Sequence, residues 1–334
     1  MHMDSLPITR RRLIQTLFCS SMAMGLNLGK GLAAETTTSG GTLDLLLLGD
    51  FGTGSDHQKK VGGQMVSYVG GLGKKPEGML LLGDNFYGPM PGGVECNRWQ
   101  RDFSDVYPAA DLPGPCYAIL GNHDYHDHPG NVVELAYPAH REGKSRWTMP
   151  ANYYRLDLPK DNPQATLLML DTNWERINRR IHGEGPCWME KADEDKQMAW
   201  LKEQLASKRA KFTIVAGHHP VYSDSAHGDT PELVAELGPL LEQHGVHLYV
   251  CGHDHDLQHM EMAGLRTSFV LSGGGGQSLS DSHEPRPGSV TFKVHGFSHL
   301  SVDGDAITVK HIDSNGGIVH AFVKKADYSW KLLA

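Results

Sequence analysis

Six short apolar runs, five of them closed by a glycine and a polar residue, limit what this chain can fold into. They are Leu43–Leu48, Met79–Leu82, Cys116–Leu120, Thr166–Leu170, Phe212–Ala216 and Val246–Cys251. Continuous apolar runs of this length suit strands buried on both faces. Helical periodicity fills several of the gaps: Gln58–Tyr68, Met198–Lys208 with Trp200, Leu201 and Leu205 on one stripe, and Glu232–His244. Strands that alternate with helices point to a largely parallel α/β sheet. The tail differs. Leu300–Val302, Ala306–Ile312 and Gly317–Val323 alternate, joined by Asp303-Gly304-Asp305 and Asn315-Gly316. That pattern predicts an antiparallel meander closing a second sheet. No repeat or linker interrupts residues 43–334, which read as one domain of two packed sheets with helices outside.

The first 34 residues read as an export signal. Arg10, Arg11 and Arg12 form a basic start, and a moderately apolar stretch runs to about Leu32, ahead of Ala33 and Ala34. Thr9-Arg10-Arg11-Arg12-Leu13-Ile14-Gln15 has the form of a twin-arginine motif, addressed to the twin-arginine export machinery. Gln15, Ser20, Ser21, Asn27 and Lys30 interrupt the apolar stretch, so no stable membrane anchor is expected. Thr16 also stands where lipid attachment at Cys19 would want leucine. The expected location is periplasmic or secreted. Residues 35–42 read as a flexible lead-in.

Loss of the signal takes away four basic residues and one acidic residue, so the net charge of −8 becomes −11. An acidic body is not a nucleic-acid-binding surface, which wants a basic face. Cys96, Cys116, Cys187 and Cys251 remain. An oxidising compartment permits disulfides, but spacing does not choose among the pairings. Cys251, at the end of an apolar run, reads as a buried free thiol.

Five polar clusters sit at or just after the ends of apolar runs. They are Gly49-Asp50-Phe51-Gly52, Gly83-Asp84-Asn85-Phe86-Tyr87, Gly121-Asn122-His123-Asp124, Gly217-His218 and Gly252-His253-Asp254-His255. Ligands of open α/β sheets bind outside the carboxyl ends of the strands. Each preceding glycine is read as permitting a sharp turn. Alone, Asp50 reads as a helix cap, Asp84 or Asn122 as a turn residue, and His218 or His253 as a core histidine. Five clusters of oxygen and imidazole donors brought to one rim instead predict a metal site.

The order Asp-x-Gly, Gly-Asp-x-x-Tyr, Gly-Asn-His-Asp, Val-x-x-His and Gly-His-x-His resembles the purple acid phosphatases, and most closely their small tartrate-resistant type. These belong to the calcineurin-like metallophosphoesterases. The resemblance runs from about Leu45 to Gly274 and fades over the last sixty residues. It implies a metallophosphoesterase-type α/β/β/α sandwich: two packed mixed sheets flanked by helices, in a single domain. The wider superfamily usually carries histidine two residues after the first aspartate, where this chain has Gly52. Tyr87 is expected to supply the missing ligand, because a phenolate is a hard anionic donor suited to a trivalent ion.

By this resemblance, Asp50, Asp84, Tyr87 and His255 would hold Fe(III). Asp84, Asn122, His218 and His253 would hold a divalent ion: Fe(II), Zn or Mn. Three anionic side chains and one hydroxide against five positive charges leave about one net positive charge to attract a phosphate dianion. The trivalent ion acidifies bound water, so hydroxide persists in mild acid. The reaction implied is hydrolysis of small phosphorylated substrates, phosphate monoesters, by in-line attack of metal-bound hydroxide. His123 and His227 are the candidate catalytic residues that protonate the leaving group. Asp124 is expected to orient a neighbour.

Two other readings stay open: a phosphodiesterase or nucleotidase with two divalent ions on the same scaffold, and a non-catalytic binding protein. His126, His128 and His140 are expected to face water, His219 to pack in its loop, and Gly273–Gly276 to form a tight strand exit. The charged segment Trp174–Lys196 matches a loop that overhangs the site in the small subgroup. Arg176, Arg179 and Arg180 read there as solvated. Mammalian members tie this loop by a disulfide, where Arg176 and Glu232 stand here, so that tie is absent.

Overall fold

The computed structural model describes residues 42–142, 144–183 and 187–333. The export-signal reading of residues 1–34 and almost all of the lead-in lie outside them. The chain from Gly40 onward forms one unit.

Among the described residues, fifteen strands form two mixed sheets. The first sheet holds β1 (Leu43–Leu48), β2 (Gly78–Leu82), β3 (Cys116–Ile119) and β4 (Trp147–Thr148) in parallel. The second holds β5 (Tyr154–Leu158), β6 (Ala165–Met169), β7 (Phe212–Ala216), β8 (Leu248–Cys251), β9 (Leu257–Met260), β10 (Ser268–Ser272) and β11 (Ser289–Phe292), in the order β11-β9-β10-β8-β7-β6-β5. The parallel strands are therefore divided between two sheets. The tail strands β12 (Gly296–Asp303), β13 (Ala306–Asp313), β14 (Ile318–Lys325) and β15 (Trp330–Leu332) form the expected meander. It does not close the second sheet: β12 pairs antiparallel with β1 and widens the first.

Every side chain of β1 is buried because each face is covered. Leu43, Leu45 and Leu47 meet Ile214, Val250 and Val270 of the other sheet. Leu46 and Leu48 face the helical layer with Val61 and Met65. Those two belong to α1 (Asp56–Gly70), which Ser55 caps by accepting the Gln58 N–H. Next come α2 (Asn122–His126), α3 (Gly130–His140), α4 (Glu175–His182) and α5 (Lys191–Ala206). The α5 helix starts seven residues before the predicted Met198 and buries Glu194, Gln197, Leu201 and Leu205, leaving Trp200 at the margin. The predicted helix over Glu232–His244 is two, α6 (Pro231–Glu236) and α7 (Gly238–Gln243). Pro239 has no N–H to continue the ladder and breaks it. No described helix is long and apolar enough to cross a membrane.

Candidate metal centre

The carboxyl ends of β1, β2, β3, β7 and β8 meet at one rim, and each delivers one of the predicted clusters. Among the described residues, five non-glycine residues have positive φ. Three of these are Asp50 (60°), Asp84 (51°) and His253 (75°). Left-handed backbone costs a non-glycine residue about 1–3 kcal/mol, so strain is concentrated on candidate ligands.

The glycines before these candidate ligands do two different jobs. Gly83 has φ 88° and turns the chain. Gly121 and Gly252 are needed for space instead. A Cβ at Gly121 would lie 2.2 Å from Asp84 Oδ1, and one at Gly252 would lie 2.5 Å from Asp50 Oδ2.

The predicted residues form two groups joined by Asp84. In the first, Tyr87 Oη lies 3.3 Å from Asp50 Oδ1 and 3.3 Å from His255 Nε2. Donor atoms of Asp50, Asp84 and His255 all lie within 4.8 Å of one another. In the second, Asn122 Oδ1 is 2.9 Å from His218 Nε2 and 2.8 Å from His253 Nδ1, and those two nitrogens are 3.2 Å apart. Asp84 Oδ1 reaches His218 Nε2 at 3.5 Å.

Hydrogen bonds behind the rings fix which nitrogen faces inward. His218 Nδ1 donates to Leu82 O (2.8 Å), and His255 Nδ1 donates to Ser278 O (2.7 Å). Each Nε2 is therefore a bare lone pair turned into the site. Burial lowers the pKa of His218, His253 and His255, which keeps them neutral. Asn122 Oδ1 carries no hydrogen either. Three acceptor atoms thus crowd together with at most one proton, on His253, among them.

The first group shows the complementary sign. Burial and the charge of Asp84 push Asp50 well above the usual carboxylate range. Burial and the charges of Asp84 and Asp50 push Tyr87 up as well. Without a cation these groups hold protons; a cation would displace them. Hard oxygen donors on one side and two imidazoles with an amide oxygen on the other fit a pair of metal ions.

Gly52 explains Tyr87. A Cβ at Gly52 would lie 1.7 Å from Asn85 O, so no histidine fits there. The space is filled by the loop that carries Tyr87, whose N–H donates to Gly52 O (2.9 Å). Arg98 clamps the two loops, donating to Tyr87 O and Gly52 O, each at 2.7 Å, and Asp102 holds its Nε at 2.6 Å.

A model of the calcineurin-like phosphoesterase family matches residues 45–257. The chain belongs to that family. Human tartrate-resistant acid phosphatase type 5 is 34% identical over 259 residues, covering 71% of this chain and 76% of the human protein. Purple acid phosphatase 3 of Arabidopsis thaliana is 28% identical, covering 87% of this chain and 80% of its own length. Among solved structures, a purple acid phosphatase from yellow lupin (TM-score 0.65, 16% identity, 85% of this chain and 54% of that one) has the same fold. So does GAP50, the anchor in the inner membrane complex of Plasmodium (TM-score 0.70, 23% identity, 84% of this chain and 87% of that one). This metallophosphoesterase is thus a hydrolase of the purple acid phosphatase branch, with the α/β/β/α sandwich of its family.

His123 and His227 flank the centre. The His123 ring lies 4.6 Å from that of Tyr87, and the His227 ring 4.4 Å from that of His253. His123 Nδ1 donates to Asp127 (3.0 Å) and His227 Nδ1 to Asp254 (2.6 Å). Burial would lower His123, but Asp127 and Asp84 outweigh it and carry its pKa up to about 9. The Asp254 hydrogen bond raises His227.

His128, Arg176 and Arg180 stand differently from expectation, while His126, His140, His219 and Asp124 stand as expected. His128 does not face water: it is buried and bonded to Glu134 Oε1 at 3.0 Å, because α3 folds back over it. His126 and His140 are exposed, paired with Asp127 and Glu95. His219 is buried against Thr172. Asp124 accepts from the N–H groups of Asn85, Phe86 and Gly121 and so orients the Asp84–Tyr87 loop. Arg176 and Arg180 are not simply solvated. Arg176 pairs with Glu194 (2.9 Å) and Glu236 (2.8 Å), and Arg180 with Glu232 (3.2 Å). Ion pairs thus join α4 to α6. Cys96, Cys116 and Cys251 are buried free thiols, and Cys187 is buried as well.

Arg98, Asp127, Glu134 and His182 were not found from sequence. No motif marks Arg98 or Glu134. Asp127 lies one residue beyond His126, and His182 lies within the long charged segment, which was the one available signal.

Proposed function

We propose that this chain is an exported acid phosphatase that hydrolyses phosphate monoesters. Residues 1–34 act as a cleaved twin-arginine signal, residues 35–42 as a lead-in and residues 43–334 as the enzyme, which works in the periplasm or outside the cell. Asp50, Asp84, Tyr87 and His255 hold Fe(III). Asp84, Asn122, His218 and His253 hold Fe(II), Zn or Mn. The observation that carries this reading is the Tyr87 phenol set beside Asp50 and His255, over a Gly52 that has no room for a side chain.

When bound, such a pair of ions supplies Lewis acidity and a hydroxide nucleophile at low pH. The chain's own residues do the rest. Asp50, Asp84 and Tyr87 set the charge of the site. His123 and His227 each commit Nδ1–H to a carboxylate, and their raised pKa values favour the imidazolium form, in which Nε2 carries a proton as well. Both are imidazolium in mild acid, so either can donate a proton to a departing alkoxide. In-line displacement needs no more from the protein than this orientation and the proton.

The test is the visible spectrum and metal content of the purified mature protein after mild oxidation. A visible band with at least one iron per chain supports the reading. A colourless protein carrying two zinc or manganese ions removes it, in favour of a phosphodiesterase or nucleotidase with two divalent ions.

A further inference from the structure

We infer that His182 is a positioning residue for the divalent half of this centre, holding the Asn122 amide with its oxygen turned inward; this rests on the proposed role of Asn122. A primary amide has two ends of nearly equal shape and opposite chemistry. Only the oxygen can face a cation. Hydrogen-bond partners, not packing, decide which end points where. Asn122 Oδ1 faces His218 Nε2 and His253 Nδ1. Its Nδ2 faces His182 Nε2 at 2.8 Å. Turned over, the amide would donate its hydrogens to the two inward imidazole nitrogens and close the divalent site. An acceptor at His182 Nε2 opposes that turn.

The fold delivers His182 to this place deliberately. It is the last residue of α4, outside every recognisable motif. Asn178 Nδ2 ties the helix to Asn173 Oδ1 (3.0 Å) and Cys187 O (2.6 Å). Asn173 Nδ2 in turn donates to Leu120 O (3.0 Å), two residues before Asn122. The arm and the ligand therefore share one anchor. Arg176 and Arg180 fasten the other side of α4 to α6. The His182 ring stacks on His126 at 4.4 Å and 15°, which limits its rotation.

The test compares the full mature chain with His182→Ala and His182→Gln. Zinc binding is titrated by calorimetry, and iron content and the visible band are read on the same samples. Loss of a group that orients a ligand typically weakens metal affinity about 10–100-fold. His182→Ala should weaken zinc by that factor with the iron band unchanged. His182→Gln, whose Oε1 can accept from Asn122, should recover most of the loss. Equal zinc affinity in all three proteins overturns the assignment, as does a Gln variant no better than Ala. Absence of zinc binding in the unsubstituted protein as well overturns the metal role of Asn122, and the His182 assignment with it.

Discussion

Replacing Tyr87 by phenylalanine removes one oxygen from the centre and keeps the ring. The oxygen lies 3.3 Å from Asp50 Oδ1 and 3.3 Å from His255 Nε2. An ion bound by all three sits closer than that to the phenolate, so 3.3 Å is an outer bound. At this separation one extra unit of charge on the ion is worth about 5 kcal/mol, taking an effective dielectric of about 20. The phenolate therefore favours a trivalent over a divalent ion by about 10³–10⁴-fold, at roughly 1.4 kcal/mol per decade. Tyr87→Phe should lose the visible band. Its iron should be reduced or exchanged for zinc or manganese under conditions where the unsubstituted protein keeps Fe(III). The hydroxyl is only partly buried and the ring keeps its contact with His123, so the fold should survive. The assay is absorption after mild oxidation, metal analysis and a reductive titration. A variant that keeps both band and metal preference would refute the reasoning, since neither could then come from the phenolate.

Other consequences concern the groups around the metals. His227→Ala should lower kcat for an alkyl phosphate by about 10²–10⁴-fold; p-nitrophenyl phosphate, whose leaving group needs no proton, should be much less affected. Asp127→Asn should move the alkaline limb of kcat/KM down from near 9 towards the ordinary imidazole value near 6.5. Because the folded pKa of His123 is raised, the Asp127 contact contributes stability that is complete below about pH 6.5 and lost as pH rises through about 9; denaturant midpoints of the two proteins should converge above that range. Burial raises Glu134 to about 8, so its stability is likewise complete below about pH 4.5 and lost as pH rises through about 8. Glu134→Gln cannot ionise, and urea unfolding at pH 5 and pH 8 should differ in it by about 2–4 kcal/mol less than in the unsubstituted chain.

The sequence made the centre easier to read than the fold's margins. The β1, β2, β3, β7 and β8 runs are apolar on both faces, and their glycine-ended clusters announced the rim directly. The β9 strand, Leu257–Met260, gave no such signal because Gln258 and His259 are buried by hydrogen bonding instead of by apolarity. Gln258 Nε2 reaches Ser223, Ser225 and Asp256, and His259 Nε2 reaches Glu261. Partners up to 35 residues away cannot be read from a local pattern. The same holds for Arg98, whose role depends on two loops meeting, and for His182, which reaches Asn122 across 60 residues. The sheet that the tail meander joins was also not legible, because alternation fixes a strand's faces and not its neighbour.

An acid phosphatase of this design must solve a problem that histidine chemistry creates. In mild acid a free imidazole is protonated and cannot bind a metal, yet the same acid must leave a proton donor charged. The structure separates the two kinds of ring by environment. His218 and His253 are buried and His255 is partly so, which depresses their pKa, and the backbone carbonyls of Leu82 and Ser278 take the outer proton of two of them. His123 and His227 lie nearer solvent, and Asp127 and Asp254 raise theirs. Asp254 sits between the proposed ligands His253 and His255 in sequence, yet it bonds His227. One three-residue segment thus carries two histidines whose pKa burial lowers and, through its middle residue, raises that of a third. Groups pushed in opposite directions around one site are how a single fold runs metal binding and acid catalysis at the same pH. Asp254→Asn should accordingly lower the pH range of activity through His227 while leaving the iron band in place.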